Sequence, residues 1–130
     1  MLKEDEIAKI IVQAALELHR ELGPGLLESV YEVIFANLLR EKGLEVKRQV
    51  PIPISFREMR FDEGFRADLI VDKLVLVELK SISALAPVHR KQVITYLRLA
   101  NLKLGLLVNF GGELIKGNIE RLVNHLPSSE

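Results

Sequence analysis

The sequence predicts an α/β domain in which helices cover a mixed central sheet, and three features carry that expectation. Apolar residues recur at the helical period through the N-terminal part of the chain, then at every second position after Gly43. The run Leu74-Val-Leu-Val-Glu-Leu-Lys80 is apolar at nearly every position, as a strand covered on both faces would be. A helical stretch opened by Pro87 separates that run from another, Leu104 to Asn109, which is how strands of an α/β sheet are commonly joined.

In chain order, Ile7, Ile10, Ile11, Ala14, Ala15 and Leu18 form one stripe of a helix that ends at Leu22, with Asp5 available as its N-cap. Gly23-Pro24-Gly25 stops it, because Pro cannot continue the ladder and Gly accepts the left-handed turn after a helix. A second helix, Leu26 to Lys42, places Leu27, Val30, Tyr31, Ile34, Phe35, Leu38 and Leu39 on one side and stops at Gly43. Leu44, Val46, Val50, Ile52, Ile54 and Phe56 then alternate along one long, irregular strand. Pro51 and Pro53 offer no amide to a ladder, which favours an edge position. Arg57 to Gly64 is polar and reads as a turn, and Phe65 to Val71 with Leu74 to Lys80 reads as a β-hairpin. The third helix runs from Pro87 to about Ala100 with Val88, Val93, Ile94, Leu97 and Ala100 inward, and a short buried strand follows from Leu104 to Asn109. Gly111-Gly112 makes a turn, Ile119 to Val123 a weak strand, and residues 127–130 a mobile tail on a single domain spanning 1–126.

A chain of 130 residues is large enough for one well-buried core. Lys plus Arg number 18 and so do Asp plus Glu, so net charge gives no ground to assume long-range attraction to a polyanion and any basic surface is local. With no Cys there is no disulfide, thiol nucleophile or thiolate metal site, which suits a cytoplasmic protein, and no residue suggests redox chemistry or an organic cofactor. The apolar runs are far shorter than the roughly 20 residues of a membrane span. Gly23-Pro24-Gly25 lacks the Gly-Lys-Ser/Thr ending of a phosphate loop, and no Ser-His-Asp set has persuasive spacing.

The chemistry concentrates where charge interrupts the apolar strands. Glu78 and Lys80 share a face of the strand that ends at Lys80, and an unpaired buried carboxylate is costly, so Glu78 must meet a cation, a hydrogen-bond network or a cleft. Asp68 is the only charge within Ala67-Asp-Leu-Ile-Val71. A two-residue turn at Asp72-Lys73 would put Asp68 and Glu78 on opposite faces. A three-residue turn would pair them directly, and an odd-length turn or a bulge is therefore expected. Carboxylates that close repel unless a divalent cation lies between them, and such oxygen donors suit Mg²⁺ or Mn²⁺. Lys80 beside that cation could help deprotonate a water or stabilise charge on a phosphate, which points to phosphodiester hydrolysis.

Asp68 with Glu78-Leu79-Lys80 resembles the signature of the PD-(D/E)XK nuclease superfamily, and Gly25-Leu-Leu-Glu28-Ser-Val-Tyr31 resembles the motif of its GxxExxY family, with similarity from about Ile7 to Val123. The resemblance implies a restriction-endonuclease-like αβββαβ core preceded here by an extra helix. It implies metal ligation by Asp68, Glu78, the Leu79 carbonyl and Glu28, directly or through water, with Lys80 as the catalytic lysine. Gln92-Val-Ile-Thr-Tyr96 matches the Gln-x-x-x-Tyr motif of the RecB-like branch, which implies that Gln92 orients Lys80, water or phosphate. Ala67 stands where the superfamily name has Pro, at a position that supplies no ligand.

Simpler explanations compete with several of these assignments. Glu78 and Lys80 could form an ion pair at a strand end, Glu28 could merely complement a helix dipole, and Tyr31 and Tyr96 could be packed rings with hydroxyls at the surface. Arg66, His89, Arg90, Lys91 and Tyr96 outline a candidate nucleic-acid track, to which Arg57 and Arg60 could add, and His19 and His125 read as ordinary surface residues. The leading expectation is a Mg²⁺-dependent DNA nuclease, plausibly a homodimer with paired sites. A non-catalytic binding or accessory module with the same fold is the alternative, and a purely structural metal site ranks last.

Overall fold

A computed structural model describes residues 3–125, so the expected C-terminal tail lies outside the described residues. The elements follow in the order α1 (Glu4–Leu22), α2 (Glu28–Glu41), β1 (Val46–Phe56), β2 (Met59–Val71), β3 (Val75–Lys80), α3 (Pro87–Ala100), β4 (Leu104–Asn109) and β5 (Ile119–Val123). The strands form one sheet in the order β1-β2-β3-β4-β5. Pairing is antiparallel except between β3 and β4, which run parallel because α3 carries the chain back between them. No helix among the described residues is long and apolar enough to cross a membrane.

The apolar patterns explain the layering. Val75, Val77 and Leu79 of β3, with Leu104, Leu106 and Val108 of β4, pack against Ile7, Ile11 and Leu18 of α1 and Phe35 and Leu39 of α2. The alternate residues Leu76 and Leu107 pack against Val93 and Leu97 of α3. With one face under α1 and α2 and the other under α3, the central strands are apolar throughout. Gly105 permits the close approach of α3, since a Cβ there would lie 2.9 Å from Val93 and 3.2 Å from Leu97.

Four details depart from the sequence reading. Asp5 lies in the first turn of α1 rather than at its N-cap, which is Lys3. Val88 and Ile94 of α3, and Leu27 and Val30 at the start of α2, are exposed, because each helix meets the sheet along a stripe narrower than its apolar positions. His19 is buried, its Nε2 lying 2.9 Å from the Gly112 carbonyl. The polar stretch 57–64 is mostly strand: only Arg57 and Glu58 turn, and the pairs Phe56↔Met59 and Ile54↔Phe61 extend β1 and β2 into a ribbon projecting past β3. That ribbon is wetted on much of its surface, so its polar residues do not signal a loop.

The ribbon also changes face as it leaves the sheet. Val46, Leu69 and Val71 pack on the α1/α2 side, whereas Val50, Phe65 and Ala67 pack on the α3 side. Along a regular strand Val46 and Val50 would share a face, as would Ala67 and Leu69. The switch falls at Gln49 and Asp68, which are missing from a ladder that otherwise pairs Arg48 with Leu69 and Val50 with Ala67. Gln49 accomplishes it with a left-handed backbone, φ 51°.

Candidate active site

The hairpin between β2 and β3 turns through three residues, Asp72-Lys73-Leu74, with Asp72 and Lys73 at φ 50° and 61°. The ladder pairs Val71↔Val75, Ile70↔Leu76 and Leu69↔Val77, and the next step sets Asp68 opposite Glu78. There the backbone ladder ends and the side chains replace it. The Asp68 N–H donates to Glu78 Oε1 at 3.1 Å, and the Leu79 N–H donates to Asp68 Oδ2 at 2.8 Å. The two carboxyls are themselves within hydrogen-bonding reach of each other. The twist at Gln49 and Asp68 accounts for this arrangement, since turning β2 away from β3 opens a gap that the carboxyls fill. N–H and C=O of one strand residue point to the same edge, so the Leu79 carbonyl faces that gap too.

Glu78 is only 5 % exposed, and burial, followed by repulsion from Asp68, pushes its carboxyl up to about 9. Lys80 is half-buried at the end of β3 and, among the described residues, makes no ion pair within 4 Å. The simple strand-end pair between Glu78 and Lys80 is therefore not what the chain builds. Glu78 is joined to Asp68, and Lys80 stands beside them with its charge uncommitted.

Glu28 opens α2 at an exposed position. Its carboxyl is raised first by partial desolvation and then by Asp68, with Lys80 opposing, so the site's charges lie within electrostatic reach of it. Three bonds seat that end of α2. Ser81 Oγ, just after Lys80, donates to the Leu26 carbonyl at 2.7 Å. The Tyr31 hydroxyl donates to the Gly23 carbonyl at 2.5 Å and accepts the Leu26 N–H at 3.3 Å. Tyr31 is thus a fully buried ring stacked on Phe110 at 4.8 Å, and its hydroxyl is not at the surface but ties down the Gly23-Pro24-Gly25 corner. Replacing Tyr31 with Phe leaves both groups without their partner and is expected to cost about 1–2 kcal/mol, a fall of about 5 °C in Tm by calorimetry. An unchanged Tm would remove the hydroxyl from this account.

On the other face, Tyr96 of α3 stacks on Phe65 with ring centroids 3.8 Å apart. Burial first, then Glu78 and Asp68, raise its hydroxyl, while a hydrogen bond with Gln92 one turn earlier opposes them. Gln92 and Tyr96 therefore approach the acid pair from the α3 side. Asn109, which the sequence reading passed over, is the fully buried hub behind Lys80. It accepts from the Ile82 and Gly111 N–H groups at 3.0 Å each and donates to the Ile82 carbonyl at 3.0 Å and Asn118 Oδ1 at 2.9 Å. A buried Asn within an otherwise apolar strand was the available signal.

The outlying basic residues are mostly engaged. Arg66 pairs with Glu63 at 2.5 Å, Arg90 pairs with Glu120, and His89 Nδ1 accepts the Ala86 N–H at 2.9 Å as a cap of α3. Lys91 is exposed and, among the described residues, has no ion pair. No three acidic or imidazole groups among the described residues converge closely enough to enclose a metal by themselves. The donors that do meet, two carboxyls and a facing carbonyl, are hard oxygens of the kind a small divalent cation takes.

A model of the PD-(D/E)XK nuclease superfamily matches residues 5–122. No curated protein and no solved structure matches the chain. The five-stranded mixed sheet flanked by helices is a restriction-endonuclease-like α/β fold, and the match covers every strand but the last residue of β5. By fold and by family match, the chain belongs to the PD-(D/E)XK nuclease superfamily.

Proposed function

We propose that the chain is a divalent-metal-dependent nuclease that hydrolyses DNA phosphodiesters at the β2–β3 gap. The observation that carries this reading is that the Asp68 N–H donates to Glu78 and the Leu79 N–H to Asp68, beside a lysine with no ion pair among the described residues. A structural salt bridge would have used Lys80, and a purely structural acid pair would have no need of an uncommitted cation next to it.

In this reading Asp68, Glu78 and the Leu79 carbonyl would hold Mg²⁺ or Mn²⁺, with Glu28 contributing directly or through water. The ion supplies an acidified water and neutralises charge on the scissile phosphate. Lys80 holds a proton at Nζ beside a phosphate oxygen and stabilises the charge that grows there during in-line attack. Gln92, bonded to Tyr96, orients the water, the phosphate or Lys80 without adding charge. Lys91 is an exposed cation with no ion pair among the described residues and is available to backbone phosphates, while Arg66 and Arg90 would first have to leave Glu63 and Glu120. A neutral chain of this size covers little DNA, which favours a homodimer presenting two sites.

The test is cleavage of single-stranded, duplex and branched DNA by purified protein with Mg²⁺, with Mn²⁺ and with EDTA. Cleavage that needs the metal is expected for at least one substrate class. Metal binding without cleavage of any of them would instead make the chain an accessory module.

A further inference from the structure

Asp68 is held from two directions. Leu79 N–H fixes Oδ2 at 2.8 Å, and Gln49 Nε2 donates to Oδ1 at 3.4 Å. The same Gln49 amide donates to Glu32 Oε1 at 2.7 Å. Glu32 is buried on α2, 4 % exposed, and its other oxygen is clamped by Arg48 Nη2 at 3.0 Å and Nε at 3.2 Å. Gln49 thus hangs from a fixed anchor and reaches across to the carboxylate in the β2–β3 gap. Glu32 lies one helical turn after Glu28, so the same link ties the end of α2 that carries Glu28 to the strand that carries Asp68.

Two features separate this from an incidental contact. Gln49 sits at φ 51°, a left-handed conformation unfavourable for a residue with a Cβ, at the point where β1 and β2 change face. Its chemistry also suits the task. A side-chain amide carries two donor hydrogens and serves two carboxylates at once. Being neutral, it orients Asp68 without cancelling the charge that a cation must find, whereas Lys or Arg there would compete with the metal.

We infer that Gln49 is a positioning residue for Asp68, anchored through Glu32 and Arg48, and that it sets the orientation in which Asp68 meets a divalent cation. The inference rests on the proposed metal site. Partners of metal ligands of this kind are worth about 10- to 100-fold in metal affinity.

The experiment is calorimetric titration of Mn²⁺ into the wild-type chain and the variants Gln49→Asn, Gln49→Gly and Asp68→Asn, with Tm of each recorded in EDTA. Asn and Gly both accept the left-handed backbone, while Asn falls a methylene short and Gly has no side chain. Mn²⁺ affinity is expected to fall about 10- to 100-fold in both Gln49 variants, with Tm in EDTA lowered by no more than about 5 °C, the cost of the bond lost to Glu32 less the relief of the left-handed backbone. Wild-type affinity in the Gln49 variants, with binding lost in Asp68→Asn, overturns the positioning role and leaves the metal site standing. A larger loss of Tm in EDTA alongside weakened binding assigns Gln49 to folding and also overturns it. Equal binding by Asp68→Asn and wild type removes the metal site and this inference together.

Discussion

Replacing Lys80 with Ala is expected to lower the rate of DNA cleavage by about 10²- to 10³-fold, the usual cost of removing one group that stabilises transition-state charge. Tm and Mn²⁺ affinity should change little. The structure explains why these effects separate. Lys80 makes no ion pair among the described residues, so truncation strands no buried partner. Its backbone bonds remain, including the Phe110 N–H donated to its carbonyl at 2.9 Å. A structural lysine would give the opposite pattern, with lost stability and retained turnover. Lys80→Arg should restore little, because a planar guanidinium does not occupy the position of a compact ammonium. Single-turnover kinetics at saturating metal make the comparison, and equal rates for Lys80→Ala and wild type would sink the catalytic assignment.

How much of this was legible in the sequence depends on whether the determining contacts are local. The hairpin register was legible: setting Asp68 against Glu78 on one face requires an odd-length turn or a bulge, and the turn has three residues. The covering of β3 on both faces was legible from its unbroken apolar run. Gln49 was not, because nothing in Lys-Arg-Gln-Val marks a left-handed residue, and its partners Glu32 and Asp68 lie far away in the chain. Tyr31 was read as a packed ring, but the bond that buries its hydroxyl depends on how the Gly-Pro-Gly corner folds back over α2. His19 looked like a surface residue because its partner, the Gly112 carbonyl, arrives from the other end of the chain. The strand pairing of residues 59–64 was hidden by their polarity, since a ribbon projecting into solvent carries no buried face to read.

The second large effect concerns the raised carboxyl of Glu78. Its folded carboxyl titrates near 9 against an ordinary value of 4.5, with burial the main cause and Asp68 the next. A carboxyl raised on folding favours the folded state fully while it is protonated in both states, below about pH 4.5. That advantage declines as pH rises towards 9, because the unfolded chain ionises the group freely and the folded chain does not. Metal-free protein should therefore lose stability between these limits relative to Glu78→Gln, whose amide carries no such penalty. At the proposed site Mg²⁺ or Mn²⁺ should reverse the trend, because a carboxylate must give up its proton to bind a cation. At a metal concentration of 100 times Kd, linkage supplies about 2.7 kcal/mol. For a domain of this size that is a rise of about 10 °C in Tm. The rise should be largest at pH 8, small at pH 5 and absent in Glu78→Gln at either pH. Differential scanning calorimetry with and without EDTA at the two pH values provides the measurement. A metal-induced shift of the same size at pH 5 and pH 8, or one that survives Glu78→Gln, would mean that the cation binds elsewhere and that the pair of carboxyls in the β2–β3 gap is not its site.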